Sequence, residues 1–436
     1  MTPEAHGWGA AWATRDAAVV WHGFTQMAGY VDECPVVVDR AEGHELIDVD
    51  GNHYLDAISS LWVTTLGHRV PALDDAVRAQ LDRVAHTTLL GHGNVVVVEL
   101  AEALAAVVPV DRPHVMFASD GAAAVEQALK MAFQLRVNEG RPERRAFLAF
   151  EGGYHGDSIG AMSLGGSGFG ADVFAPLRFP VLRAPGFADP AAVRIAADLV
   201  AEHADELTAV VVEPLVQGAA GMLMAPPEDF AALGRACRDH DVLLVCDEVA
   251  TGFGRTGTLF ASEQAAVRPD LLVLGKGLTG GYLPMSATVA SGRVFDAFLG
   301  PDPGPATFLH GHSFGGNALA AAVALRHLRL LGELDVLANV ATRSAQLRAL
   351  LDRSLARSPS VRAVRVRGLM AGVELASPGP IERWGRRVCA AAVRAGVLLR
   401  PLGDVVVVMP PLTIGEAEVE RIVDVLEAAV AEVAAA

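Results

Sequence analysis

Short apolar runs separated by amphipathic stretches recur through the middle of the chain. VMFAS, RRAFLAF, TAVVVEP, VLLVC and LLVLG contain apolar runs too short for helices, so they predict strands buried on both faces. Between them, AAAVEQALKMAFQLRVNEG and FAALGRACRDH repeat apolar residues at helical spacing. Val125, Leu129 and Phe133 are expected on the apolar face of the first of these helices. Strand–helix alternation of this kind predicts an α/β fold with a mostly parallel sheet covered on both faces. Upstream, PVVVDRAEGHELIDVDGNHYLDA reads as strand pieces broken at the turn Asp50-Gly51, and VPALDDAVRAQLDRVAH reads as a helix. Beyond about His310, ALAAAVALRHLRLL predicts a long helix, and VRAVRVRG and AGVELA belong to a second, smaller α/β unit joined by the N-terminal strands. The expected division is residues 1–65 as a segment serving the small domain and the active-site channel, 66–325 as the large domain, and 326–436 as the C-terminal small domain.

Composition narrows the possible partners. With 52% apolar and 20% charged residues, the chain can bury a large core and is not a disordered protein. A net charge of −16 with no basic run argues against nucleic acid and against anionic membrane surfaces. Cys34, Cys237, Cys246 and Cys389 form no CxxC pair, which predicts a reducing compartment and no metal framework. MTPEAHGWGAAWATRD lacks the basic start and apolar core of a signal peptide, and VVVVELAEALAAVVPV is broken by Glu99 and Glu102. The expected location is the cytoplasm.

Candidate chemistry lies past two of the strands. Asp247 follows VLLVC and Lys276 follows LLVLG, and ligands of open α/β sheets sit beyond the carboxyl ends of strands. An acid and a lysine there can form an ordinary salt bridge. They also match what pyridoxal phosphate requires: a lysine for its Schiff base and a carboxylate against its ring nitrogen. ASDGAAAVEQALKMAF adds a turn in which Gly121 opens a helix whose free N–H groups suit a phosphate, although any strand–helix turn can carry a glycine. EGGYHGDS adds Tyr154 as a platform for a flat ring, with His155 and Asp157 in support; alone it is a polar, glycine-containing loop. The glycine-rich GGSGFG at 165–170 is not an intact nicotinamide fingerprint. The order of phosphate turn, aromatic platform, acid and lysine favours the pyridoxal phosphate reading.

From Val19 to Leu412 the chain resembles the class III, fold-type I pyridoxal phosphate aminotransferases. The stretches WHGFTQM, GGYHGDS, VEPLVQGAAGM, CDEVATGFGRTG, GKGLTGGYLP, HGHSFGGNALA and RPLGD carry the resemblance. Within that family it is similar to the biotin-pathway branch, which aminates 8-amino-7-oxononanoate. The resemblance implies a large, mostly parallel mixed-sheet domain with a small α/β domain built from both ends of the chain. It implies Lys276 as the Schiff-base lysine, Asp247 against the ring nitrogen, Tyr154 on one ring face and Val249 on the other. Asp120, Gly121 and Ala122 then surround the phosphate, and His155 and Glu213 support the cofactor. Ser313 reaches the phosphate of a partner subunit, so a homodimer is expected. Phe24, Leu61, Trp62, Tyr154 and Gly311 are expected to contact substrate, and Arg400, set between apolar runs and expected to be buried, to hold its carboxylate. Arg255 is as readily structural as functional, and Trp21 is expected in the core.

By the same resemblance, Phe24, Leu61, the HGHS sequence and Val407 stand at substrate-contact positions, where they depart from the branch that takes its amino group from S-adenosylmethionine; they favour L-lysine as donor, with S-adenosylmethionine the other reading. Asp120 stands where the phosphate turn usually has a serine. Three further readings remain open: another class III aminotransferase acting on an ω-amino acid, diamine or natural-product ketone; a mutase or decarboxylase using the same cofactor; and a non-catalytic scaffold.

Overall fold

A computed structural model describes residues 7–33, 35–166 and 171–436; Cys34 and residues 167–170 of the glycine-rich run lie outside them. Near the N-terminus, β1 (Val38–Glu42), β2 (Glu45–Asp48) and β3 (His53–Asp56) form an antiparallel meander. Gly51, at φ +83°, makes the turn between β2 and β3 that Asp50-Gly51 predicts.

The central sheet contains β4 (His114–Ala118), β5 (Ala146–Phe150), β6 (Leu182–Ala184) and β7 (Leu207–Val212). A short hairpin of β8 (Val216–Gln217) and β9 (Leu223–Met224) follows β7. The sheet is completed by β10 (Leu243–Asp247), β11 (Leu271–Leu274) and β12 (Ser286–Ala290), in the order β4-β12-β11-β10-β7-β5-β6. Every residue of β7, β10 and β11 is buried, which accounts for their unbroken apolar runs. Only β12 runs antiparallel to its neighbours. Its sequence SATVA has too little apolar character to announce a strand, and its place between β11 and β4 is set by the sheet around it.

The C-terminal part supplies β13 (Val361–Arg367), β14 (Met370–Leu375), β15 (Val397–Leu398), β16 (Arg400–Leu402) and β17 (Val405–Val408). β13, β14, β17 and β16 make an antiparallel sheet, whereas β15 pairs in parallel with β3, Val397 opposite Leu55. That pairing ties the two ends of the chain together, as the pattern predicts.

The helix Gly121–Asn138 buries Ala124, Val125, Ala128, Leu129, Ala132 and Leu135. Phe133, expected on this face, is 44% exposed. Each four-residue step overshoots a helical turn by about 40°, so two steps carry Phe133 off the face that Val125 begins. VVVVELAEALA forms a helix at Val95–Ala105, capped by the Asn94 side chain on Val97 N at 3.0 Å. No helix among the described residues is long and apolar enough to cross a membrane. Cys237, Cys246 and Cys389 are buried free thiols.

Candidate active site

Asp247 ends β10 and sits opposite Val273 of the adjacent β11. After β11 the backbone enters a short helical turn at Lys276, whose φ of +42° is a left-handed conformation that side chains adopt only when their surroundings enforce it. Adjacent parallel strands therefore deliver the acid and the lysine to one end of the sheet. Both line a cavity of about 470 Å³, together with Trp62, Asp120, Gly121, Ala122, Tyr154, His155, Glu213 and Val249. With Asp157, which also lines it, eleven of the residues singled out from the sequence meet in this one cavity.

Hydrogen bonds hold the buried charges in register. Asp247 Oδ2 lies 2.7 Å from His155 Nδ1, and Asp247 Oδ1 accepts from Val249 N at 3.1 Å. Glu213, just past β7, accepts from Tyr154 N at 3.1 Å and Gly218 N at 3.0 Å, while Tyr154 OH donates to Asp157 at 2.9 Å. Burial pushes the Glu213 carboxyl up to about 7, against the pull of His155. Burial alone would lower His155, but its hydrogen bond to Asp247 and the nearby carboxylates outweigh that effect and raise it. Burial lowers the Lys276 ammonium despite the opposing pull of Asp247 and Glu213. Burial and the Asp157 hydrogen bond keep Tyr154 protonated well above its ordinary range.

A strained turn carries Trp62 to the lysine. Ser59, Ser60 and Trp62 all have positive φ, and Lys276 Nζ lies 4.7 Å from the center of the Trp62 ring. Asp56 anchors the turn by accepting from Ser60 N at 2.8 Å and His68 Nε2 at 2.9 Å. Arg255 resolves toward structure: it is 1% exposed and donates to Pro410 O and to Ser59 Oγ. Burial lowers its guanidinium to about 9. Sequence reading left this role open because nothing in GFGRTG reveals a partner so distant in the chain.

Five expected site residues lie elsewhere. Phe24 and Arg400 line a separate cleft of about 670 Å³, and Leu61 is exposed beside Trp62. Arg400 is exposed rather than buried, because β16 lies at the edge of its sheet and pairs only with β17. It is nonetheless close enough for its charge to act on Tyr154. Gly311 and Ser313 are exposed and outside the cavity of their own chain. Two other expectations are corrected. Trp21, expected in the core, is 89% exposed, since the segment after the helix Gly7–Val19 leaves its side chain uncovered. Val407, expected at a substrate contact, is fully buried because β17 is an interior strand between β14 and β16.

Residues 26–430 match the family model described as Aminotransferase class-III. The chain belongs to the class III aminotransferases. It is 46% identical to the adenosylmethionine-8-amino-7-oxononanoate aminotransferase of Nitratidesulfovibrio vulgaris, a match covering 95% of this chain and 80% of that protein. The crystal structure of the enzyme of the same name from Methanocaldococcus jannaschii superposes with a TM-score of 0.94 at 37% identity, over 97% of this chain and 99% of that one. An omega transaminase from Pseudomonas jessenii, solved in complex with PMP, superposes with a TM-score of 0.91 at 28% identity, over 97% and 98% of the two chains. This class III aminotransferase thus has the fold-type I architecture and uses pyridoxal phosphate.

The cavity fits that cofactor on its own evidence. The first N–H groups of the helix Gly121–Asn138 have no partner within the helix, so they suit a phosphate. A Cβ on Gly121 would lie 2.9 Å from Val249 Cγ1, so a glycine is what allows the helix start and Val249 to close on one slot. Trp62 Nε1 is buried without a partner among the described residues. The cavity volume falls within the ordinary range for ligand pockets, about 300–1,000 Å³.

Proposed function

We propose that this class III aminotransferase transfers an amino group to 8-amino-7-oxononanoate, giving 7,8-diaminononanoate for biotin synthesis, with L-lysine as donor. The observation carrying the acceptor is the 46% identity over nearly the whole chain to a protein named for that acceptor. Bound pyridoxal phosphate supplies a ring that takes up the electron pair of the reacting carbon. Lys276 Nζ holds the cofactor and then moves the proton between substrate and cofactor, a task suited to an amine whose ammonium is lowered by burial. Asp247 faces the ring nitrogen, and His155 fixes the carboxylate through Oδ2. Tyr154 and Val249 cover the two ring faces, while Gly121 and Ala122 offer N–H groups to the phosphate.

Arg400 anchors the substrate carboxylate, with Phe24 in the same cleft and Leu61 and Trp62 as apolar walls. Ser313 and Gly311, exposed on their own chain, complete the site of a second copy, so the active form is a homodimer. Phe24, Leu61 and the HGHS loop support lysine. The names of the relatives favour S-adenosylmethionine, which is the second reading.

The test supplies L-lysine or S-adenosylmethionine separately to the holoenzyme with 8-amino-7-oxononanoate and detects the diamine by mass spectrometry. Product with lysine alone is expected. Product with S-adenosylmethionine alone moves the donor to the second reading, and turnover of this acceptor with neither donor removes the biotin assignment.

A further inference from the structure

The turn that opens the helix Gly121–Asn138 poses an electrostatic problem. Asp120 lines the cavity beside the N–H groups to which the proposed function assigns the cofactor's phosphate. A carboxylate free to face that phosphate repels it. The structure occupies both of its oxygens. Asp120 Oδ1 accepts from Ala123 N at 2.9 Å, capping the helix, and Oδ2 accepts from Ser119 Oγ at 2.7 Å. Ser286 Oγ donates to the Asp120 carbonyl at 2.6 Å and fixes the backbone of the turn.

The chain of contacts continues to a distant loop. Ser119 Oγ lies 2.9 Å from His312 Nε2, and His312 Nδ1 accepts from Phe314 N at 3.1 Å. A neutral imidazole whose Nδ1 accepts carries its proton on Nε2. The direction of donation is therefore set: His312 to Ser119, and Ser119 to Asp120. His86 Nε2 bonds Ser313 O at 2.8 Å and steadies the same loop.

We propose that Ser119 and His312 are positioning residues for the cofactor's phosphate. Their relay keeps the Asp120 carboxylate turned to the helix cap and leaves the N–H groups of Gly121 and Ala122 to the anion. A serine at 120 brings no negative charge and needs no such restraint; the aspartate does. The inference rests on the proposed placement of the phosphate at this helix start.

The test strips the full-length protein of cofactor and titrates it with pyridoxal phosphate and, separately, with pyridoxal, following absorbance of the bound ring. The ratio of the two affinities is the phosphate preference. His312→Ala and Ser119→Ala should each lower it about tenfold, the scale of a lost hydrogen bond to a charged group. His312→Gln, whose amide can still donate to Ser119, should retain most of it. In an Asp120→Ser background, adding His312→Ala should cost nothing further. An unchanged preference in both alanine variants overturns the proposal, as does a loss that persists in the Asp120→Ser background. No phosphate preference in the wild type overturns instead the placement of the phosphate on which the inference rests.

Discussion

The cofactor cavity and the substrate cleft are built in opposite ways. In the cavity, Asp247, His155 and Glu213 sit at or just past strand ends or in a loop packed against them, are almost wholly buried, and each has a named hydrogen-bond partner. In the cleft, Phe24 lies on an irregular N-terminal segment and Arg400 on an edge strand, and both are exposed. The difference teaches where reaction type and substrate choice reside. Chemistry common to a family needs fixed geometry, which a buried sheet end supplies. Substrate choice tolerates loops and edges, because a few exposed side chains decide it.

The sharpest break in that comparison is Lys276→Ala. Losing the proton carrier should cost about 10⁴-fold or more in kcat for either substrate, with the folded state unchanged by circular dichroism. Arg400→Ala should behave differently. It should raise KM for the keto acid about 10- to 100-fold, the worth of a charge-assisted contact, while kcat at saturation changes much less. Steady-state kinetics on both variants separate the two regions. An Arg400→Ala enzyme that lost kcat but kept KM would place Arg400 with the cavity instead.

A pH measurement sharpens the contrast from the buried side. The folded Glu213 carboxyl stands at about 7 against an ordinary 4.5, so between those values the folded chain holds a proton that the unfolded chain has released. Stability attributable to this group therefore falls as pH rises from about 4.5 to 7 and is flat above. Glu213→Gln removes the penalty. The Tm difference, variant minus wild type, should grow more positive across that window and then level off. A difference independent of pH would mean that Glu213 titrates normally.

What the sequence made legible follows the same division. Lys276 and Asp247 could be found because strand-end placement is a rule of the fold and both follow apolar runs that are strands. Gly121 could be found because a helix start after a strand has free N–H groups. The links between distant segments could not. Ser119 meets His312 across 193 positions, and Arg255 reaches Pro410 across 155, pairings that no local pattern encodes. Arg400 was misread for a related reason: flanking apolar runs predict burial, but they do not say that its strand lies at an edge. Phe133 failed through helical drift alone.

The smallest effects test the cleft's claim on donor choice. Phe24 and Val407 both depart from the S-adenosylmethionine branch, yet only Phe24 is placed to touch a ligand. Phe24→Tyr adds a hydroxyl at an exposed wall, where it costs little stability, and should shift the ratio of kcat/KM for lysine over S-adenosylmethionine by several-fold. Val407→Tyr forces a ring into a fully buried strand position beside Gly372 and should destabilise the fold by about 1–3 kcal/mol while leaving the donor ratio unchanged. Urea unfolding and competition between the two donors measure both quantities. A donor ratio that moved with Val407→Tyr and stayed still with Phe24→Tyr would place donor choice in the packing behind the cleft, and the contrast between a fixed cavity and a permissive cleft would no longer hold.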